Sequence, residues 1–218
     1  SSINFGSFLT KQKIIRYKHL DLNHLEYLLK KSNNKIPKII ITETLFSMDG
    51  DIVDIEGVRF LAKKFDSFLY IDEAHSMGVL GKNGFGIASN QYNEKEVIIG
   101  TFGKSFGSYG GFVSSSKKVY DKIINTCSGL IYSSALPPGN YAAISEAIKI
   151  IPTLKNSRKK LLDNSRFLIK ELNKIKINTG SSDSQIIPII LGNEIKCFEL
   201  QSFLRKNGFF VKVIRSPT

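Results

Sequence analysis

Apolar and polar positions fall into two rhythms that take turns along the chain. Short continuous apolar runs occur at 38–42 (KIIIT), 68–71 (FLYI) and within 96–102 (EVIIGTF). Each has the length and β-branched content of a strand buried in a parallel sheet. Between them apolar residues recur at helical spacing. Leu22, Leu25, Leu28 and Leu29 follow Asp21, an N-cap residue, and Asn33-Asn34 with Pro37 stop that helix. Ile55, Val58, Leu61, Ala62 and Phe65 mark a second helix over about 54–65. Helix–strand–helix–strand is the order of an α/β fold with a mainly parallel sheet.

Further along, a helix is expected over about 117–126. An extended stretch follows at 131–134 (IYSS), and a long helix starts at Pro137-Pro138 and breaks near Pro152. An amphipathic helix then carries Leu161, Leu162, Phe167, Leu168 and Leu172. Two apolar runs, 185–191 (QIIPIIL) and 209–214 (FFVKVI), flank a helix over about 194–207 and predict a strand–helix–strand end piece. Residues 1–20 are mixed and end in a basic, β-leaning piece. Composition shifts near 150–155, which divides the chain into domains 1–152 and 153–218.

The 218 residues, 42% hydrophobic and 23% charged, have ordinary globular composition. No apolar run reaches the ~20 residues of a membrane helix, so no membrane association is expected. Cys127 and Cys197 are far apart in sequence and belong to no Cys/His cluster. That argues against a disulfide framework or a metal site and for a reducing cytoplasm. The net charge is +12, but the lysines are dispersed and no basic block of five appears. Nucleic-acid binding is therefore not expected, although the field suits acidic substrates.

Chemistry gathers at strand ends. Ligands in open α/β sheets bind beyond the carboxyl ends of the strands. There the sequence places Thr42, Glu43 and Ser47, then Asp72 and His75, then Thr101 and Lys104, then Ser133 and Ser134. Lys104 stands in 100–113 (GTFGKSFGSYGGFV), among glycines that allow sharp turns and close approach. A phosphate-binding P-loop is excluded by spacing, since the pattern requires glycine where Ile98 stands. The glycines at 78, 81, 84 and 86 do not form the dinucleotide fingerprint either. Taken singly, Asp72 reads as a turn cap, His75 as a structural histidine and Lys104 as a surface lysine. A carboxylate, an imidazole, a hydroxyl and a lysine at neighbouring strand ends suit pyridoxal phosphate: a partner for the ring nitrogen, a group on the phenolic oxygen, a phosphate contact and a Schiff-base amine.

Four motifs carry a family resemblance: 42–51 (TETLFSMDGD), 70–81 (YIDEAHSMGVLG), 100–111 (GTFGKSFGSYGG) and 131–138 (IYSSALPP). In type, order and spacing they resemble the α-oxoamine synthases, and the resemblance covers the whole chain. It implies the fold-type I pyridoxal-phosphate transferase fold, aspartate aminotransferase-like. The large domain would lack its N-terminal part, and part of a smaller α+β domain would follow. It implies pyridoxal phosphate held as a Schiff base on Lys104, which also moves the substrate α-proton. Asp72 would partner the ring nitrogen, with His75 on the phenolic oxygen and Ser47 near the same ring edge. Thr101 would bind phosphate, and Ser133 and Ser134 would reach the phosphate from the other subunit of a homodimer. Thr218 would lie near the acyl substrate.

The reaction implied is decarboxylative condensation of an amino acid with an acyl thioester. Residues 131–138 and 185–193 resemble most the branch that joins L-alanine to a pimeloyl thioester, on CoA or a carrier protein, in biotin synthesis. Other branches share every residue named. A non-catalytic partner subunit would be expected to lack the lysine, and a basic binding module has only the charge in its favour. The family's ring-stacking histidine would fall just before Ser1, its phosphate loop further upstream, and its carboxylate-gripping arginine after Thr218. The chain is therefore expected to be the central part of a longer enzyme.

Overall fold

The computed structural model describes residues 2–33, 35–90 and 93–215. Four strands form one sheet: β1 (Ile39–Glu43), β2 (Phe68–Asp72), β3 (Glu96–Thr101) and β4 (Gly111–Ser115). Their spatial order is the chain order. β1, β2 and β3 run parallel, and β4 returns antiparallel to β3. The register aligns the carboxyl ends: Glu43 pairs with Asp72, Asp72 with Ile99, and Thr101 with Gly111. The loop between β3 and β4, which carries Lys104, therefore opens on the edge where Glu43 and Asp72 end.

Two helices cover one face of the sheet, and one of them is the crossover between β1 and β2. Helix α1 (Ser2–Leu9) opens the chain, where the sequence predicts no helix, and buries no residue. Helix α2 (Leu22–Lys31) starts at Asp21, whose carboxylate accepts from the backbone N–H of His24 at 2.8 Å. Helix α3 (Ile55–Lys64) starts at Asp54, which accepts from Gly57 N at 3.0 Å. Such caps occupy otherwise unpaired N–H groups of the first turn. Leu25 and Leu29 of α2, with Val58, Leu61 and Ala62 of α3, pack on Ile40, Leu69 and Ile71.

The expectation of strands buried on both faces holds for one face only. Along β1 and β2 buried positions alternate with open ones, and Ile39 is 65% exposed. The apolar run marks strand character, but burial of the second face requires a covering layer, which the described residues do not supply.

Arg59 clamps α3 to the start of β3. Its guanidinium donates to both oxygens of buried Glu96, at 3.0 and 2.9 Å, and to the carbonyl of Ala88 at 2.7 Å. Breaking one partner of such a buried pair strands a charge.

A second apolar cluster lies beneath the β3–β4 loop. Met77, Phe106 and Ile151 are buried against Phe85, Phe102, Phe112 and Ala147. The rings of Phe102 and Phe106 meet edge to face at 5.4 Å. These two aromatics bracket Lys104 in sequence and anchor the loop on both sides of it. Gly100 allows this packing, since a Cβ there would lie 2.5 Å from the Phe112 ring.

Helices α4 (Lys117–Thr126), α5 (Ser128–Ile131), α6 (Pro138–Ile150), α7 (Lys155–Lys174) and α8 (Glu194–Lys206) follow. A 3-10 turn at Ile151–Thr153, containing Pro152, separates α6 from α7. Two expectations are corrected here. The stretch 131–134 is not extended: Ile131 closes α5, whose first turn is tied to Cys127 O, and a turn follows. Neither 185–191 nor 209–214 forms a strand. A strand exists only through a ladder partner, and neither run has one among the described residues. The segment 181–186 is instead tied to the turn after β1. Ser181 Oγ donates to Asp51 Oδ2 at 3.0 Å, and Asp183 N donates to Gly50 O at 3.3 Å. The same Asp51 oxygen lies 2.9 Å from His19 Nε2.

Candidate active site

Asp72 ends β2 half-buried, and its Oδ1 accepts from Ala74 N at 2.8 Å. This bond turns the chain sharply and carries His75 back over the strand end. Glu73, between them, is 1% exposed. It accepts from Thr44 Oγ1 at 2.8 Å, Ile87 N at 3.2 Å, Ala88 N and Ser76 Oγ. Burial raises its pKa, and the donors from Ala88, Thr44 and Ile87 with the charge of Arg59 oppose the rise. Gly86 closes the same knot at φ +91°, where a Cβ would lie 2.6 Å from Glu73 Oε2. Glu73 thus locks the turn that presents Asp72 and His75.

Lys104 Nζ lies 2.8 Å from His75 Nε2. Lys104 is exposed as a residue, yet desolvation around its ammonium lowers its pKa, against the attraction of Asp72 and Glu43. Burial, and then the charge of Lys104, lowers the pKa of His75, while Asp72 opposes. Glu43 is raised, first by burial and then by Asp72, and the backbone N–H of Ser47 and the charge of Lys104 restrain it. Two carboxylates paired in register, an imidazole and an amine of lowered pKa therefore share one electrostatic environment. Clusters of this kind mark functional sites.

A cavity of about 240 Å³ adjoins the cluster, lined by Ala74, His75, Met77, Val79, Lys104, Ser105, Gln185 and Ile186. Ser105 Oγ donates to Met77 O, which joins the lysine loop to the His75 turn. Gln185 Nε2 donates to His75 O at 2.9 Å across 110 residues of sequence.

The other expected residues divide. Ser47 lies half-buried in the turn after β1. Thr101 ends β3, where its hydroxyl donates to Gly110 O at 3.1 Å and accepts from Gly103 N at 3.1 Å, closing the neck of the lysine loop. Ser133 and Ser134 are exposed in the turn after α5 and do not line the cavity; Ser133 Oγ donates to Leu130 O at 3.1 Å. Thr218 lies outside the described residues. Sequence reasoning missed the roles of Glu73 and Gln185. Glu73 stands inside the Asp-Glu-Ala-His motif, and a carboxylate at the end of a buried strand was the available signal.

The donor set fits the ring end of pyridoxal phosphate. An amine of lowered pKa, an imidazole and a strand-end carboxylate are the groups that the aldehyde, phenolic oxygen and ring nitrogen require.

The family model for aminotransferase class I and II matches residues 8–218. A Paramagnetospirillum magneticum protein, provisionally named an 8-amino-7-oxononanoate synthase, is 42% identical over 100% of this chain and 55% of its own length. The solved 8-amino-7-oxononanoate synthase of Francisella tularensis is 28% identical with TM-score 0.85, covering 100% of this chain and 64% of that one. A serine palmitoyltransferase from S. paucimobilis, solved with bound PLP–myriocin, is 27% identical with TM-score 0.84, covering 92% of this chain and 53% of that one. The chain thus spans about half the length of the curated relatives it matches. Its α/β architecture is that of the fold-type I pyridoxal-phosphate transferases, and its similarity is to the α-oxoamine synthases. The chain belongs to the aminotransferase class I and II family.

Proposed function

We propose that the full-length protein is a pyridoxal-phosphate-dependent α-oxoamine synthase that joins L-alanine to a pimeloyl thioester, the reaction of an 8-amino-7-oxononanoate synthase in biotin synthesis. The observation that carries the reading is Lys104 Nζ on His75 Nε2 at the carboxyl edge that Asp72 shares. The bound cofactor supplies an aldehyde that captures amines and a pyridinium ring that delocalises the electron pair left by a departing α-proton.

Lys104 would hold the cofactor through its aldehyde. Its ε-amine would also take the substrate α-proton, a task its lowered pKa suits. Asp72 would keep the ring nitrogen protonated. His75 would hold the phenolic oxygen, and its lowered pKa favours the neutral imidazole. Ser47 would stand near the ring, and Thr101, which closes the neck of the lysine loop, would bind the phosphate. In the condensation the amino-acid α-carbon bonds to the thioester carbonyl carbon and the thiolate leaves. The amino-acid carboxylate then departs as CO₂, and a proton replaces it.

Ser133 and Ser134, exposed and away from this cavity, suit a role in which they reach the phosphate of a second subunit in a homodimer. Thr218 is assigned to the acyl substrate. Residues 1–152 are assigned to the large domain and 153–218 to the small one. Among the described residues no helix is long and apolar enough to cross a membrane. A cytoplasmic setting is part of the proposal.

The similarity to a serine palmitoyltransferase favours one second reading, a different amino acid and acyl chain at the same residues. Assaying the full-length protein with alanine, glycine and serine against pimeloyl, succinyl, acetyl and long-chain thioesters decides between them. CO₂ release confined to alanine with pimeloyl thioester supports the first reading. Preference for serine with a long-chain thioester replaces it with the second. No turnover with any pair contradicts both.

A further inference from the structure

Gln185 holds an oxygen that the structure leaves unused. Its Nε2 donates to the His75 carbonyl at 2.9 Å, which fixes which end of the amide is which. The opposite end, Oε1, is buried and has no hydrogen-bond partner among the described residues. An unsatisfied buried acceptor loses its hydration without return, so its partner must come from the site.

Four polar side chains line the adjoining cavity: His75, Lys104, Ser105 and Gln185. The Ser105 hydroxyl is engaged on Met77 O, and the Gln185 amide N–H on His75 O. His75 Nε2 faces Lys104. Lys104 carries three N–H donors when protonated, and its contact with His75 takes one at most. It is the cavity wall's charged donor with capacity to spare.

We propose that Gln185 is a positioning residue of this site: its Nε2 fixes the His75 turn, and its Oε1 accepts an N–H of Lys104 when the ammonium swings away from His75. The hydrogen bond favours the charged amine. Its place in catalysis rests on the reading of Lys104 as the residue that moves the α-proton, because a lysine that has taken that proton must hold it until it is returned. Other charged or titratable groups face Lys104 from the elements around it: Asp72 at the end of β2, Glu43 at the end of β1 and His75 in the turn. All three stay unchanged in the variants below. Gln185 arrives through the segment that Asp51 and Gly50 tie to the turn after β1, so it also couples the C-terminal part of the chain to the lysine loop.

The test is the pH dependence of acetic anhydride labelling at Lys104 in the full-length protein stripped of cofactor, read by peptide mass spectrometry. Gln185→Met removes the acceptor at similar volume, and Gln185→Glu replaces it with a charged one. The labelling midpoint is expected to fall by about one pH unit in the first and to rise in the second, from the strength of a hydrogen bond to a charged group. A purely structural loosening moves both variants the same way. Midpoints that do not move, or that move together, overturn the proposal. If the Met variant fails to fold, the Glu variant decides alone: a rise supports the proposal, and no rise or a fall overturns it. Labelling needs no cofactor, so this inference and the proposed function fail separately.

Discussion

Lys104 Nζ and His75 Nε2, 29 residues apart in sequence, stand 2.8 Å from each other at the carboxyl edge of a parallel sheet. The charge of Lys104 lowers the affinity of His75 for a proton. Replacing Lys104 with alanine removes the charge that, after burial, depresses His75. NMR titration of His75 in Lys104→Ala is expected to give a higher pKa than in the parent. An unchanged or lower value contradicts the contact.

His75 also makes the fold sensitive to acid. Its folded pKa lies below the ordinary 6.5. As pH falls through 6.5, the unfolded chain takes up that proton first, so the unfolded state binds more protons and stability falls with pH. The raised Glu43 and Glu73 act in the opposite sense, since the folded state there holds protons more tightly. Comparing the parent with His75→Gln isolates the histidine. The loss of Tm between pH 7 and 5 is expected to be smaller in the variant.

Glu73 is expected to matter more to the fold than its neighbours in the motif. Glu73→Ala leaves the N–H groups of Ile87 and Ala88 without their acceptor and removes one partner of the Thr44 hydroxyl. Urea denaturation at pH 7 should show a loss of about 3 kcal/mol or more, from unsatisfied buried groups. A loss below about 1 kcal/mol means the knot does not hold the turn.

The Arg59–Glu96 pair is testable by a double-mutant cycle. Arg59→Met alone is expected to cost about 3–5 kcal/mol, because Glu96 is left buried and unpaired. The double substitution Arg59→Met with Glu96→Met should cost less than the two single losses combined. Strict additivity argues against the clamp.

Asp72→Asn tests the ring partner. The variant is expected to keep part of its cofactor yet lose roughly 100-fold or more in kcat, in line with the loss of one preorganised electrostatic partner. Near-parental turnover removes Asp72 from that role.

Much of this arrangement is legible in the sequence for definite physical reasons. A strand that ends in a polar residue presents it at the carboxyl edge, so Asp72 and Thr101 follow from the apolar runs before them. Phe102 and Phe106 hide among glycines, yet they anchor the loop that carries Lys104. What escapes is what depends on partners distant in sequence. Gln185 reaches His75 from 110 residues away, and no local pattern encodes that. The runs at 185–191 and 209–214 have strand composition, but a strand is a relation to a neighbour and not a property of the run. Ile39 reads as core and is open, because one face of β1 is covered by α2 and α3 while its other face has no such layer among the described residues. Ser133 and Ser134 are expected from the motif to act on a second subunit, and a single chain holds no such partner for them to reach.

The central claim is that Lys104 carries the cofactor. Incubating the full-length protein with pyridoxal phosphate, reducing with borohydride and mapping the modified peptide tests it directly. A stable pyridoxyl adduct on Lys104, lost in Lys104→Ala, is expected. An adduct on a different lysine, or none at all, contradicts it.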